Sequence, residues 1–214
     1  MTGSLIDSID SRKTILNVAA KLFAKFGLDK CSTREIAKES DCNISLISYY
    51  FGGKEGLYKA VMRECAMEIK ERVQSQDLVK KSRTAPLTKA LFKEDVTTTI
   101  DSLLFFHDKY PEVCQIFSRE KLSGLQHSQE IHEEIFYPLI QNFFKLIREA
   151  QAQKIVKKDI NPALFFILLS EGVFGFFEMK DCPTALLKDC DDLFNNKTKL
   201  SQQIAEIYIQ GVLI

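Results

Sequence analysis

The acid–histidine neighbours are the first places in this sequence where chemistry could sit. His107-Asp108 and His132-Glu133-Glu134 set an imidazole beside carboxylates, the pairing used for general acid–base work and for metal binding. Neither grows into a site. His127 and His132 are five apart and do not share a helix face, and no nucleophile or ligand spacing accompanies them. The six cysteines, Cys31, Cys42, Cys65, Cys114, Cys182 and Cys190, contain no CxxC pair and are too scattered for a zinc or disulfide framework. They read as reduced thiols, with Cys182 and Cys190 the one pair close enough to raise a redox switch. Asn196-Lys197-Thr198 fits a glycosylation sequon by pattern only. The expectation is a chain with no catalytic residues, no metal and no cofactor.

With catalysis set aside, composition and charge bound the remaining classes. The chain has 214 residues, 45% apolar and 27% charged, as in ordinary globular proteins. Twenty-nine basic side chains balance 29 acidic ones, so any nucleic-acid signal must be local. It is local: residues 1–63 carry ten Lys and Arg against seven Asp and Glu. The longest apolar run, around Leu164 to Phe177, is cut by Ser170 and Glu171 and falls short of a membrane span. Asp7 and Asp10 stand where a secretory leader would be apolar, so a cytoplasmic protein with no membrane partner is expected.

The periodicity is helical almost throughout, and an all-α fold is predicted. Ile15, Leu16, Ala19, Leu22, Phe23 and Phe26 recur at three-and-four spacing, and Gly27 supplies the stop. Ser32-Thr33-Arg34-Glu35 is a capping box that opens a short helix through Glu39. A turn at Asp41-Cys42-Asn43 leads to a helix from Ile44 to Tyr50, and Gly52-Gly53 breaks it before a long helix runs from Lys54 toward Val73. All five prolines and most phenylalanines follow residue 85, so the chain has two compositional halves joined by a connector, Gln76 to Thr88. Pro111 and Pro162 suit first turns of helices, Asn161 is an N-cap, and Pro138 should kink a helix over Glu130 to Ala152.

Two short helices on a tight turn, Thr33 to Ser40 and Ile44 to Tyr50, form a helix-turn-helix whose second helix is a candidate reader of a major groove. The run from Thr33 to Leu57, preceded by Ala19 to Gly27, strongly resembles the DNA-binding domain of the TetR family of bacterial repressors. The match runs from about Arg12 to Tyr58. The resemblance implies a DNA-binding domain over 1–53, a connecting helix over 54–75 and a larger helical effector-binding and dimerisation domain over 76–214. It implies phosphate contacts from Thr33, Tyr49 and Lys54, in keeping with the free N–H groups that helix starts offer an anion. Asn43, Ile44, Ser45 and Leu46 match positions facing base edges. Ser48 stands where many members have tyrosine, and the reading helix has no Lys or Arg, so guanine readout from it is not expected. Ile44 and Leu46 could meet thymine methyls and Asn43 could read adenine, which predicts an A/T-leaning half-site. In this reading Ile36, Ala37, Cys42, Ile47 and Phe51 form the inner face, and of the two tyrosines Tyr49 is the exposed one.

The same resemblance gives the second half its roles. Phe105, Phe106, Phe117, Phe143, Phe144, Phe166 and Phe174, with His107, are the candidate pocket for a small, largely apolar effector, and Arg119, Glu120 and Glu171 are further polar anchors. Leu168, Gly172, Gly175 and Phe176, with Ile204, Ile207, Tyr208 and Gly211, are the candidate homodimer surface on the last two helices. One short reading helix meets too few bases, so a two-fold dimer on a palindromic operator is expected, with repression relieved allosterically through the Lys54 to Val73 helix. The alternative is a helical enzyme or interaction module whose helix-turn-helix does not bind DNA.

Overall fold

The computed structural model describes residues 3–75, 86–180 and 182–214, so most of the predicted connector, residues 76–85, lies outside the described residues. The described chain is helical: α1 (Gly3–Lys30), α2 (Thr33–Glu39), α3 (Ile44–Phe51), α4 (Lys54–Ser75), α5 (Lys89–Lys109), α6 (Pro111–Leu122), α7 (Gln129–Ile131), α8 (Tyr137–Ala152), α9 (Pro162–Glu178), α10 (Asp191–Asn195) and α11 (Lys197–Val212). Gly27 ends the regular part of α1 with φ 78°, a left-handed conformation that costs glycine nothing. Asn161 caps α9 by accepting from the N–H groups of Ala163 and Leu164 at 2.9 and 3.1 Å. The strain expected at Pro138 is taken up just before it, where His132–Phe136 widens into a π-turn that leads into α8. No helix among the described residues is long and apolar enough to cross a membrane.

The chain divides into two compact units. The first comprises Met1–Glu68 and Tyr110–Ile135, and the second Ile69–Lys109 and Phe136–Ile214. Phe23, Ile36, Ile47, Leu57, Met62, Ile116 and Ile131 are the largest fully buried side chains of the first unit. In the second, α5, α8, α9 and α11 bury Phe92, Ile100, Phe143, Ile147, Leu169, Val173 and Ile209.

What fastens α6 to α4 within the first unit is a buried carboxylate. Glu120 is 3% exposed, and a charge so placed is tolerated only when fully hydrogen-bonded. Its Oε2 accepts from the backbone N–H groups of His127 and Ser128 at 2.8 and 3.1 Å. Its Oε1 takes the Tyr58 hydroxyl at 3.1 Å and lies 3.2 Å from His127 Nδ1. Burial pushes this carboxyl up, but the His127 backbone, the His127 ring and the Tyr58 hydroxyl together hold it below the usual carboxylate range. Burial and the neighbouring Glu120 charge push the Tyr58 phenol well above its ordinary value. Next along α6, Arg119 donates to the Phe23 and Lys25 carbonyls of α1 at 3.0 and 3.4 Å, where α1 is about to end.

Two expectations follow. Gly56, in the first turn of α4, has no room for a side chain, since a Cβ there would lie 1.8 Å from the Phe51 carbonyl oxygen. Gly56→Ala should therefore destabilise by roughly 1–3 kcal/mol in denaturant melts despite alanine's better helix propensity. A more stable variant would contradict the packing. Because the folded Glu120 carboxyl is depressed, its contribution is present above the unfolded value near 4.3 and is lost as pH falls through the folded value. Glu120→Gln should lose roughly 1–3 kcal/mol at pH 7, with the gap to the parent closing on acidification below about pH 4. Parallel stability curves from pH 7 to 3 would show that the carboxylate plays no such part.

Candidate nucleic-acid interface

The local sequence builds α2 and α3 from both ends. Before α2, the Ser32 hydroxyl accepts from Glu35 N–H at 3.2 Å, and the Glu35 carboxylate takes the Ser32 N–H and O–H at 2.9 and 2.7 Å. These bonds hold the Glu35 carboxyl below its ordinary value, and the negative charge suits the helix start. At the other end the buried Ser40 hydroxyl donates to the Ile36 carbonyl at 2.7 Å. Asp41 then turns the chain with φ 50°, and Cys42 N–H returns to the Ala37 carbonyl at 3.0 Å. Asn43 caps α3, and Gly52, at φ 72°, ends it with its N–H on the Ser48 carbonyl.

The geometry sorts α3 into two faces. Ile47 is 1% exposed, and Tyr50 and Phe51 are half-buried beside it. Opposite, Ile44, Ser45, Ser48 and Tyr49 fall on one exposed arc, with Ile44 at 44% and Tyr49 at 81%. Tyr49 leans edge-on against Tyr50, ring centroids 5.1 Å apart. Leu46, expected on this arc, is half-buried at its margin.

Two other candidates are already engaged. The Asn43 side-chain carbonyl accepts from the Ser45 N–H at 2.9 Å and the Ser45 hydroxyl at 2.8 Å. A bidentate contact to adenine needs that same oxygen, so it would break the cap, leaving the amide NH₂ as the free recognition group. The Lys54 ammonium donates to the Leu28 carbonyl at 2.9 Å, tying the start of α4 to the end of α1. Thr33 opens α2 and is half-buried. Arg34 and Lys38, four apart and exposed on α2, are cations that residue-by-residue transfer passed over, although their spacing on a short helix was readable.

The second unit holds most of the remaining candidates. Phe143 is buried and packs on the rings of Phe165 and Phe166 at 5.6 and 5.5 Å. Phe144 and Phe166 are partly buried against this core, and Phe106 meets Phe174 edge-on at 5.9 Å. Phe105 lies under the Arg72 guanidinium at 3.5 Å. His107 stacks on Phe177 at 4.2 Å, and burial lowers its pKa. Phe117 belongs instead to the first unit, against His132 at 5.6 Å. Arg119 and Glu120, expected as effector anchors, also belong to the first unit, as the bonds above show. The histidine–acid pairs are used in packing and pairing: Asp108 carries an ion pair with Lys197 at 2.6 Å. Among the described residues no group of three or more His, Cys, Asp or Glu could hold a metal.

On α9 and α11 the expected dimer residues split. Leu168 and Ile207 are exposed at 53% and 71%, beside the exposed Leu164 and Ile167. Gly175 and Gly211 have open space where a Cβ would be. Phe176 and Ile204 are partly buried against the core, as is Tyr208. Gly172 serves the chain itself. A Cβ there would lie 2.3 Å from the Tyr208 hydroxyl, which donates to the Leu168 carbonyl at 2.7 Å.

Comparison with known proteins bears on the helix-turn-helix most directly. Residues 15–61 match the family described as bacterial regulatory proteins, tetR family. The chain is 28% identical over 141 residues to the HTH-type transcriptional dual regulator CecR of Shigella flexneri, a match over 64% of this chain and 63% of that one. It is 41% identical over 56 residues to the probable HTH-type transcriptional regulator YttP of Bacillus subtilis (strain 168), over 26% and 27% of the two chains. The alignments thus span less than two thirds of either relative. The ketosteroid transcriptional regulator KstR2 of Mycobacterium tuberculosis shares the fold, with TM-score 0.71 at 16% identity over 95% of both chains. The match coincides with the capped α2–turn–α3 unit and the ends of the helices that flank it, so residues 15–61 carry the helix-turn-helix domain of the tetR family of bacterial regulatory proteins.

Proposed function

We propose that the chain is a ligand-responsive transcriptional regulator that binds a palindromic operator as a homodimer and is released by a small, largely apolar effector. The observation that carries this is the exposed arc Ile44, Ser45, Ser48 and Tyr49, presented by a helix that is fixed only along its opposite face. Residues 1–53 are the DNA-binding domain, 54–75 the connecting helix and 76–214 the effector and dimer domain. Thr33 and Tyr49, with the α4 start at Lys54, contact phosphates; Ile44 and Ser45 face bases with the Asn43 amide. An apolar arc with no cation favours A/T-leaning half-sites, since thymine methyls offer it contact and guanine's acceptors do not.

The dimer reading is supported by Leu164, Ile167 and Leu168 on α9 and Ile207 on α11, whose apolar surfaces a second copy would cover. An apolar effector is supported by the partly buried phenylalanines of the second unit and by the ketosteroid regulator among its structural relatives. Communication has a covalent route, because α4 passes from one unit to the other and the chain crosses again at Lys109–Tyr110 and Ile135–Phe136. Repression is the mode assigned here; the dual regulator CecR makes activation from a second operator position the reading to compare.

Selection from a random DNA pool with purified protein should return a two-fold symmetric site whose strongest positions are A or T. Affinity for it should fall steeply with salt, as phosphate contacts release counterions. A site with G or C at its strongest positions would overturn the readout assigned to α3. No enrichment above salt-sensitive background, before and after ligand is stripped by refolding, would overturn the regulator reading itself.

A further inference from the structure

Within the second unit, α5 and α11 flank a cleft of about 350 Å³, in the size range of small-ligand sites. Its α5 side presents Asp101, Leu104, Phe105 and Asp108, spaced three and four apart along one helix face. Its α11 side includes Lys197 and Ser201. Ser201 is only 2% exposed, and its hydroxyl has no hydrogen-bond partner. Buried hydroxyls are normally satisfied, so one that lines a cleft and lacks a partner leaves a hydrogen bond for a ligand's polar group to make.

The charges of the cleft do not cancel. Lys197 is committed to Asp108 at 2.6 Å, while the Asp101 carboxylate is exposed and makes no ion pair among the described residues. Among the residues that line the cleft, one negative charge is left over. The start of α11, which could otherwise draw an anion, is capped by the Asn196 carbonyl on Lys199 N–H at 3.0 Å. Leu104 is buried and Phe105 half-buried, which gives the cleft an apolar wall. The Phe105 ring already carries the Arg72 guanidinium over it at 3.5 Å and the Lys109 ammonium at 5.8 Å, so a ligand's positive charge belongs at Asp101 rather than on the ring.

We propose that this cleft binds a small organic ammonium ion: its charge pairs with Asp101, its hydrocarbon body lies on Leu104 and Phe105, and a hydroxyl or amine of the ligand satisfies Ser201. The site takes Phe105 from the residues expected around an apolar effector but is otherwise distinct from the phenylalanines packed on the core of the second unit. It also lies on another side of α11 from Ile207, since Ser201 and Ile207 are six residues and therefore roughly 120° apart around the helix.

Calorimetry on the full chain without DNA tests this, and its outcome is independent of whether the protein regulates transcription. Hexylamine should bind, and hexanoate and hexanol should bind at least about tenfold more weakly. Asp101→Asn, at an exposed position that leaves the core intact, should weaken hexylamine by about tenfold. Aminohexanol should bind more tightly than hexylamine, and Ser201→Ala should erase that difference. Absence of hexylamine binding, equal binding of hexanoate, or an Asp101→Asn variant that binds hexylamine as the parent does would each overturn the proposal.

Discussion

An eight-residue helix cannot hold itself together in water, and that constraint governs the first unit. α3 exists because Ile47 is buried against its neighbours, Asn43 closes its first turn and Gly52 its last. All three supports act on the ends and the inner face. Of the outer arc only Ser45, bonded to the Asn43 cap, takes part in closing the helix, and the exposed Ile44, Ser48 and Tyr49 are left for what they meet. Removing a support would lose the helix, whereas changing those three should alter only recognition.

α3 packs on α2 and α1; Arg119 of α6 ties α6 to α1, and the buried Glu120 of α6 ties it to α4 through bonds that burial makes obligatory. Glu120 has four donors because a bare carboxylate at that depth would be prohibitively costly. Arg119 answers two carbonyls of α1 near the point where Gly27 interrupts it. Residues 110–135 thus belong by packing with the helix-turn-helix, although in sequence they lie in the midst of the second unit. A chain that leaves and re-enters a DNA-binding unit in this way carries several covalent connections from which its conformation can be biased.

Local signals were legible in the sequence, and long-range ones were not. The Ser32–Glu35 box, the Gly27 stop and the Asn161 cap each depend on residues within a few positions, so spacing alone predicts them, whereas the outward Tyr49 is legible only through the family resemblance. Arg119 and Glu120 were misread as effector anchors because their partners, Phe23 and Tyr58, are 96 and 62 residues away. Asn43 shows a different failure. The same amide suits base reading and helix capping, and only the fold shows that its oxygen is already spent. Gly172 was read as room for another subunit, when the Tyr208 hydroxyl of the same chain fills that room. Leu46 fell on the margin of α3, where an apolar residue fits either face.

Tyr49, the most exposed side chain of the α3 arc, is the residue at which a role in DNA contact separates from a role in the fold. The most direct measurement pairs thermal melting with DNA affinity for Tyr49→Ala, using a site recovered by selection. The account predicts an unchanged melting temperature, within about a degree, as expected for surface substitutions, and an affinity loss of about tenfold or more. Unchanged affinity would contradict it, as would a loss that tracks a lowered melting temperature.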